Sequence, residues 1–317
     1  MIGFDIGGTK CSVCIGKRVH DGIEISDKKV IPTDHTISAY EMIDKMCELL
    51  DTMTDEVDII GISCGGPLDS KNGIILSPPN LPGWDEIKIV EHLKEKYGVN
   101  VYIENDANAC AVAEWKFGAG RGTSNMIFMT FGTGLGAGLI IDGKLYSGTN
   151  DMAGEAGHIR LQNFGPVGYG KQGSFEGFCS GNGIAQLGKS VAQEKLQMGK
   201  NVSFCKDYEE LDSITAKKIA EAADNGAEDA IEIYRICGEK LGMGLSILID
   251  ILNPEKIVLG SIFKRCEHLL RPSMQKVLEK ECLLASLKCC EVVPAQLGEN
   301  IGDYAALAVA AINKEEK

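Results

Sequence analysis

Glu104-Asn105-Asp106 and Asn108 crowd one turn between a strand-like run, Val101-Tyr102-Ile103, and an alanine-rich stretch, 107–117, that reads as a helix. Asn and Asp are favoured at such a junction, because their side-chain oxygens accept backbone N–H groups that the first helical turn leaves unpaired. Capping accounts for one of these polar residues and leaves the others to be explained. A carboxylate held at the carboxyl end of a strand and at a helix start is also placed to act as a general base. Asp106 is the candidate.

A second chemistry comes from two glycine turns. Gly7-Gly8-Thr9-Lys10 joins two apparent strands and gathers N–H groups, a hydroxyl and an ammonium, a suitable cradle for phosphate. Its glycines are expected to supply positive φ and close backbone approach. Asp5, at the end of the first strand, is placed to orient a hydrated metal ion. The pattern recurs, since Ile127–Ile141 lies over Ile2–Gly16 without a gap. Gly132 falls on Gly7, Thr133 on Gly8, Gly134 on Thr9 and Thr130 on Asp5. Two such units, each opening a half of the chain, predict two related α/β domains facing one another. Two phosphate cradles suit a nucleotide triphosphate better than one. Gly132-x-Gly134-x-x-Ala137 also fits a dinucleotide fingerprint loosely, but that motif needs a helix directly after its glycines. Here Leu139–Tyr146 is strand-like with an Asp-Gly turn, which disfavours NAD.

Glu155 and His158 are flanked by glycines and separated by two residues, so both can face open space. Residues 163–173, rich in glycine and without periodicity, read as a lid-like excursion ahead of Glu176.

The elements that must hold these residues follow from periodicity. Helices are expected over 37–53, 85–97, 227–252, 270–281 and 301–312, and strands over 57–63, 256–262 and 291–293. Asn253-Pro254 must stop the long helix before it. A glycine joint, 118–122, marks a boundary. The expected domains are 1–117 with 300–317, a small N-terminal α/β domain, and 118–299, a larger C-terminal one. The charges of 314–317 read as a solvated tail.

At 317 residues two domains are natural, and 44% hydrophobic with 24% charged residues is a globular composition. A net charge of −13 argues against wholesale binding of nucleic acid or anionic membrane. No apolar run approaches the ~18 residues of a membrane span. Asp5, Gly7-Gly8 and Lys10 interrupt the N-terminal apolar stretch, so no signal peptide is expected and the cytoplasm is the expected compartment. The twelve cysteines then read as free thiols. Neither Cys11-x-x-Cys14 nor Cys289-Cys290 has metal-site spacing with a second pair.

Six motifs together resemble the ROK group of sugar kinases and sugar-responsive repressors, within the actin-like (ribonuclease H-like) ATPase fold. They are Asp5-Ile-Gly-Gly-Thr-Lys10, Pro79-Asn-Leu-Pro-Gly-Trp84, Glu104-Asn-Asp-Ala-Asn108, Gly132-Thr-Gly-Leu-Gly-Ala-Gly138, Gly154-Glu-Ala-Gly-His158 and Leu259-Gly-Ser-Ile262. The resemblance covers Ile2 to about Ile312 and implies two actin-like α/β domains, with ATP and sugar meeting in the cleft between them, in a homodimer. It implies Asp106 as the base that deprotonates the sugar hydroxyl. Gly66, Asn80, Asn105, Glu155, His158 and Glu176 would line the sugar site, Asn105 as a sugar ligand before it is a cap. Gly7, Gly8, Thr9 and Lys10, with Thr133 and Gly134, would hold the phosphates of ATP. Asp5 would place Mg2+ through water, and Gly260 and Ser261 would border the adenosine.

Three departures stand out. The family's zinc site uses the histidine of the Gly-His pair with three cysteines of a Cys-x-Cys-Gly-x-x-Gly-Cys-x-Glu run. Those positions here are Val167, Tyr169 and Ser174, and one imidazole without thiolates makes no structural zinc site. No zinc is expected, and the loop must be held by packing. Gly65-Gly66 replaces the usual Pro-Gly, and Ser261 replaces a second glycine, a mild change. The leading expectation is an ATP-dependent kinase acting on the 6-hydroxyl of glucose or a related hexose or N-acetylhexosamine. Fructose, allose and N-acetylmannosamine are the alternative substrates. A sugar-sensing ROK-type regulator is disfavoured, since no DNA-binding helix-turn-helix precedes the first hairpin and the charge is acidic. A non-catalytic sugar-binding protein is disfavoured by the intact Asp5, Asp106 and glycine turns.

Overall fold

Strand β1 (Ile2–Ile6) pairs antiparallel with β2 (Lys10–Val19), which pairs antiparallel with β3 (Gly22–Pro32). On its other side β1 runs parallel to β4 (Ile59–Cys64), and β4 runs parallel to β5 (Asn100–Asn105). The computed structural model describes residues 1–20 and 22–315. All six residues of β4 are buried, as expected of a central strand covered on both faces. Helix α1 (Ala39–Asp51) supplies Met42, Ile43, Met46 and Leu50 to the same core as Phe4, Ile60 and Ile62. Ser38 and Glu41 close a capping box at its start, which fixes where the helix begins. α2 (Ile89–Tyr97) adds Ile89 and Leu93 to that core.

The C-terminal helix α10 (Ile301–Glu315) packs on β1, β4 and α3 (Asp106–Phe117). Glycines in the sheet admit it. A Cβ on Gly61 would lie 2.1 Å from the Ala306 carbonyl oxygen, and one on Gly16 would lie 2.6 Å from Leu307 Cδ1. The alanine-rich sequence of α10 is the matching half of that close approach. Lys314, expected in a solvated tail, lies in the last turn of the helix and pairs with Asp58. Residues 316–317 of that tail lie outside the described residues.

The strands that follow are β6 (Met126–Met129), β7 (Ala137–Ile141), β8 (Lys144–Leu145), β9 (Lys256–Leu259) and β10 (Glu291–Pro294). The first sheet runs β3-β2-β1-β4-β5 and the second β8-β7-β6-β9-β10. The two orders are the same, so the repeat of strand, glycine turn and strand extends to whole sheets. Between β8 and β9 lie α4 (Phe175–Phe178), α5 (Gly181–Gln197), α6 (Ala216–Asp224) and the long α7 (Glu228–Leu252). α7 stops at Asn253, which takes the left-handed conformation at φ 44°, a common way to end a helix. α8 (Ser261–Glu281) starts at Ser261, not at Leu270, and breaks its helical dihedrals at Cys266. The expected strand to residue 262 therefore ends at Leu259, because Gly260 already caps the helix. α9 (Leu284–Cys289) completes the set.

The chain divides into two compact units. One comprises Met1–Phe128, Gly138–Gly154 and Gln296–Lys317, the other Met129–Ala137 and Glu155–Ala295.

Candidate active site

In the first unit, Asp5, the last residue but one of β1, sets its carboxyl against α10, where a Cβ on Gly302 would come within 2.3 Å of Asp5 Oδ2. Burial, then the negative charges of Asp303 and Asp106, push that carboxyl up to about 6. The Ser63 hydroxyl and the Lys10 ammonium pull the other way. Ser63 is the register partner of Asp5 across β4, and its buried hydroxyl meets no partner at full hydrogen-bond geometry. Asp303 is itself 2% exposed and accepts from Ser12 Oγ at 2.7 Å and from Lys28 Nζ. Nothing in the local sequence marked Asp303. Its partners are strand residues almost the whole chain away.

The first glycine turn is pinned by its neighbours. Thr33 Oγ1 donates to the Gly7 carbonyl at 2.6 Å, and His35 Nε2 lies 2.8 Å from the Gly8 carbonyl. Thr9 and Lys10 stay exposed. Neither Gly7 nor Gly8 has positive φ, contrary to expectation. Close approach explains the glycines instead, since a Cβ on Gly8 would lie 2.4 Å from the Asn80 carbonyl oxygen. That contact sets Asn80 beside the turn, and its side chain lies over Gly65.

The turn of Glu104, Asn105 and Asp106 divides its labour. Asn105 is the N-cap of α3, accepting from the Ala107 N–H at 3.0 Å and the Asn108 N–H at 3.4 Å. Capping thus takes the Oδ1 of Asn105 and leaves Nδ2, which faces Gly66, as the atom available to a ligand. Asp106 is exposed, with Oδ1 accepting the Ala107 N–H at 2.8 Å. Glu104 was given no role by its sequence, yet Oε1 accepts from the Asn105 N–H and from Asn108 Nδ2, both at 3.0 Å. It ties the strand end to the helix and so holds the backbone that presents Asn105 and Asp106. Burial and the nearby Asp151 raise its pKa.

The second unit carries the other glycine turn. Thr130, in the place of Asp5, closes the turn itself: its Oγ1 accepts the Gly136 N–H at 2.8 Å. The Gly181 N–H at the start of α5 donates to the Gly132 carbonyl at 2.7 Å. Glu176 Oε2 accepts the Leu135 N–H at 3.0 Å, and a Cβ on Gly134 would lie 2.9 Å from that same oxygen. Glu176 therefore braces the turn, an occupation its sequence position did not suggest. Thr133 is exposed. Glu155 and His158 both face solvent from a short 3-10 turn, Ala156–His158, and its preceding residue. Partial desolvation and Glu176 push the Glu155 carboxyl up, against the pull of His158. Gly260 donates its N–H to the Met129 carbonyl at 2.9 Å, and Ser261 sits at φ 40°. The replacement of a glycine there is not mild, because a residue with a Cβ is strained at that φ.

Where the family has zinc cysteines, Val167-Gly168 and Lys171-Gln172 form a small antiparallel ladder. Gln186 clamps it, accepting from the Val167 N–H and donating to the Val167 carbonyl, both at 2.9 Å. Ser174 caps α4 through the Gly177 N–H at 3.0 Å. Hydrogen bonds hold this loop together with close packing, since a Cβ on Gly165 would lie 2.3 Å from the Phe178 ring.

Residues 1–312 match the ROK family. The chain belongs to the ROK family. A glucokinase from Halalkalibacterium halodurans is 33% identical over 86% of the chain and 84% of that protein. A xylose repressor from Caldicellulosiruptor bescii is 28% identical over 90% of the chain and 71% of the repressor. The solved structure of a ROK family glucokinase from Streptomyces griseus, in complex with glucose and AMPPNP, superposes with a TM-score of 0.77 at 30% identity. That match covers 98% of the chain and 99% of the glucokinase. The two five-stranded sheets of this ROK protein are accordingly those of the actin-like ATPase fold. No helix among the described residues is long and apolar enough to cross a membrane.

Proposed function

We propose that this ROK protein is an ATP-dependent hexose kinase that transfers the γ-phosphate to the 6-hydroxyl of glucose or a related hexose or N-acetylhexosamine. The observation that carries the reading is the turn at the head of α3. An exposed carboxylate, Asp106, stands beside an amide, Asn105, whose oxygen is spent on the cap and whose Nδ2 is left to donate. A base next to a fixed donor suits a hydroxyl that must be oriented and deprotonated as it attacks phosphorus. Both the glucokinase relative and the glucose and AMPPNP complex of the Streptomyces griseus enzyme support the choice of sugar and nucleotide.

In this reading Asp106 takes the proton of the sugar hydroxyl. Gly66, Asn80, Asn105, Glu155, His158 and Glu176 orient the ring. Thr9 and Lys10, with the N–H groups of Gly8, Thr133 and Gly134, hold phosphate oxygens, Gly7 shaping the turn with its own N–H donated to the Lys10 carbonyl at 3.1 Å, while Gly260 and Ser261 border the adenosine. Burial first, and then the charges of Asp303 and Asp106, raise the Asp5 carboxyl; a divalent cation held through water would offset that charge, and Mg2+ bound there would neutralise charge on the phosphates. Phosphoryl transfer needs positioning and charge neutralisation more than covalent help, which matches a site without an activated nucleophile of its own.

An ATP-coupled assay over glucose, mannose, fructose, allose, N-acetylglucosamine and N-acetylmannosamine tests the reading. Turnover with one of them at a kcat of ordinary size, on the order of 1–100 s⁻¹, is expected. A second reading, a sugar-sensing regulator, is favoured by the xylose repressor relative. It predicts sugar binding by calorimetry without turnover of any sugar in the panel.

A further inference from the structure

Tyr169 occupies an uncomfortable backbone position for no internal gain. It and Gly170 are the two residues between Val167-Gly168 and Lys171-Gln172, with φ of 43° and 72°. Two central residues at positive φ are the signature of a type I′ turn, which favours Asn-Gly and disfavours an aromatic at its first position. Packing does not compensate, because Tyr169 is 73% exposed. What the ring does meet is His158, at 6.4 Å between centroids and an interplanar angle of 76°. The hairpin beneath is anchored to the same segment, with Lys171 Nζ donating to the His158 carbonyl at 2.7 Å and Arg160 donating to the Gln172 carbonyl at 2.6 Å. The ring is therefore mounted on a rigid turn, nearly perpendicular to the imidazole, with most of its surface open to solvent.

An exposed aromatic held in a strained turn, beside a histidine assigned to the sugar, is suited to stack on the apolar C–H face of a pyranose. We propose that Tyr169 is a specificity-determining residue that packs against the hexopyranose while His158 and Glu155 bind its hydroxyls. This rests on the hexose-kinase reading above. The residue at the position of an absent zinc ligand then contributes to substrate affinity.

The turn and the ligand make opposite demands on position 169, and the experiment uses that opposition. Tyr169→Asn gives the type I′ turn its preferred residue and removes the ring; Tyr169→Phe keeps the ring. With the full-length protein and its best hexose, Tyr169→Asn should raise the sugar KM about tenfold, with kcat and the KM for ATP within twofold of the unaltered protein. Its Tm should be unchanged or higher, and Tyr169→Phe should keep the original KM. A Tyr169→Asn protein of normal Tm and unchanged sugar KM overturns the proposal and leaves the kinase reading standing. If the unaltered protein neither turns over nor binds any sugar of the panel, the kinase reading fails and the role of Tyr169 fails with it. If it binds sugar without turnover, the same comparison is made on Kd, where an unchanged value again overturns the role of Tyr169.

Discussion

The two glycine hairpins, β1–β2 and β6–β7, occupy equivalent places in sheets of the same strand order, yet they are held and charged differently. In the first, Asp5 stands next to the end of the strand, its carboxyl raised by burial and then by Asp303 and Asp106, and the turn is pinned from outside by Thr33 and His35. In the second, Thr130 directly follows the strand and its hydroxyl closes its own turn, while Glu176 braces the loop through the Leu135 N–H. A duplicated scaffold has thus been divided between a version with a carboxylate at the strand end and one with a hydroxyl there. Phosphoryl transfer can use such an asymmetry: a cation belongs beside the strand-end carboxylate, whereas a turn of N–H groups suffices to hold phosphate.

The base tests that division most severely. Asp106→Asn keeps the size and a capping-competent side chain but cannot take a proton. We expect kcat to fall by roughly three or more orders of magnitude, with sugar affinity changed only a few-fold. Turnover within tenfold of normal would remove Asp106 as base, and with it the assignment of charge chemistry to the first hairpin.

Asp5 separates function from stability. Its carboxyl is raised from 3.8 to about 6, so the native state binds more protons than the unfolded chain between those values. Stability from this group is therefore present at low pH and is lost as pH rises through about 6. At ~1.4 kcal/mol per pH unit the loss is at most about 3 kcal/mol. Asp5→Asn should remove it, giving a ligand-free protein more stable than the parent at pH 8, with the two converging near pH 4. Catalytic activity should fall sharply in the same variant. Urea unfolding of both proteins at pH 5 and pH 8 measures the difference, and a constant gap would mean that Asp5 is not the strained carboxylate. The equivalent Thr130→Val should show no such pH dependence.

The contrast was partly legible in the sequence. The gapless overlay of Ile127–Ile141 on Ile2–Gly16 was visible because glycines and β-branched residues keep their spacing in a hairpin. The reasons for those glycines were not, since they lie in contacts with distant residues. Gly8 is small because of Asn80, and Gly61 because of Ala306, at separations no local pattern encodes. Asp303 escaped for the same reason, and Glu104 because its function is to hold a backbone. The loop at 163–173 hid its hairpin, because Tyr169-Gly170 lacks the Asn-Gly signature by which a type I′ turn is recognised.

Gly8 and Thr133 are equivalent in the overlay but not in space. A Cβ at Gly8 would press on the backbone carbonyl of Asn80 at 2.4 Å, whereas Thr133 already carries a side chain into solvent. Gly8→Ala should cost about 1–3 kcal/mol of stability and raise the KM for ATP, while Thr133→Ala should change stability by less than about 0.5 kcal/mol. Thermal unfolding of the pair decides it; equal shifts would mean that the first turn yields as easily as the second.

The smallest effect concerns the start of α8. Ser261 holds φ 40° directly after Gly260, whose N–H is committed to the Met129 carbonyl, so the serine cannot relax without disturbing the end of β6. A left-handed non-glycine residue costs roughly 1 kcal/mol relative to glycine, less the entropy that glycine loses on folding. The Ser261 hydroxyl also accepts from Arg265 at 3.1 Å, an exposed contact of small net value. Ser261→Gly should accordingly raise stability by at most about 0.5 kcal/mol, seen as a rise of about a degree or two in Tm. Destabilisation by a similar amount would show that the Arg265 contact outweighs the backbone strain, making the serine a stabilising feature of the second unit.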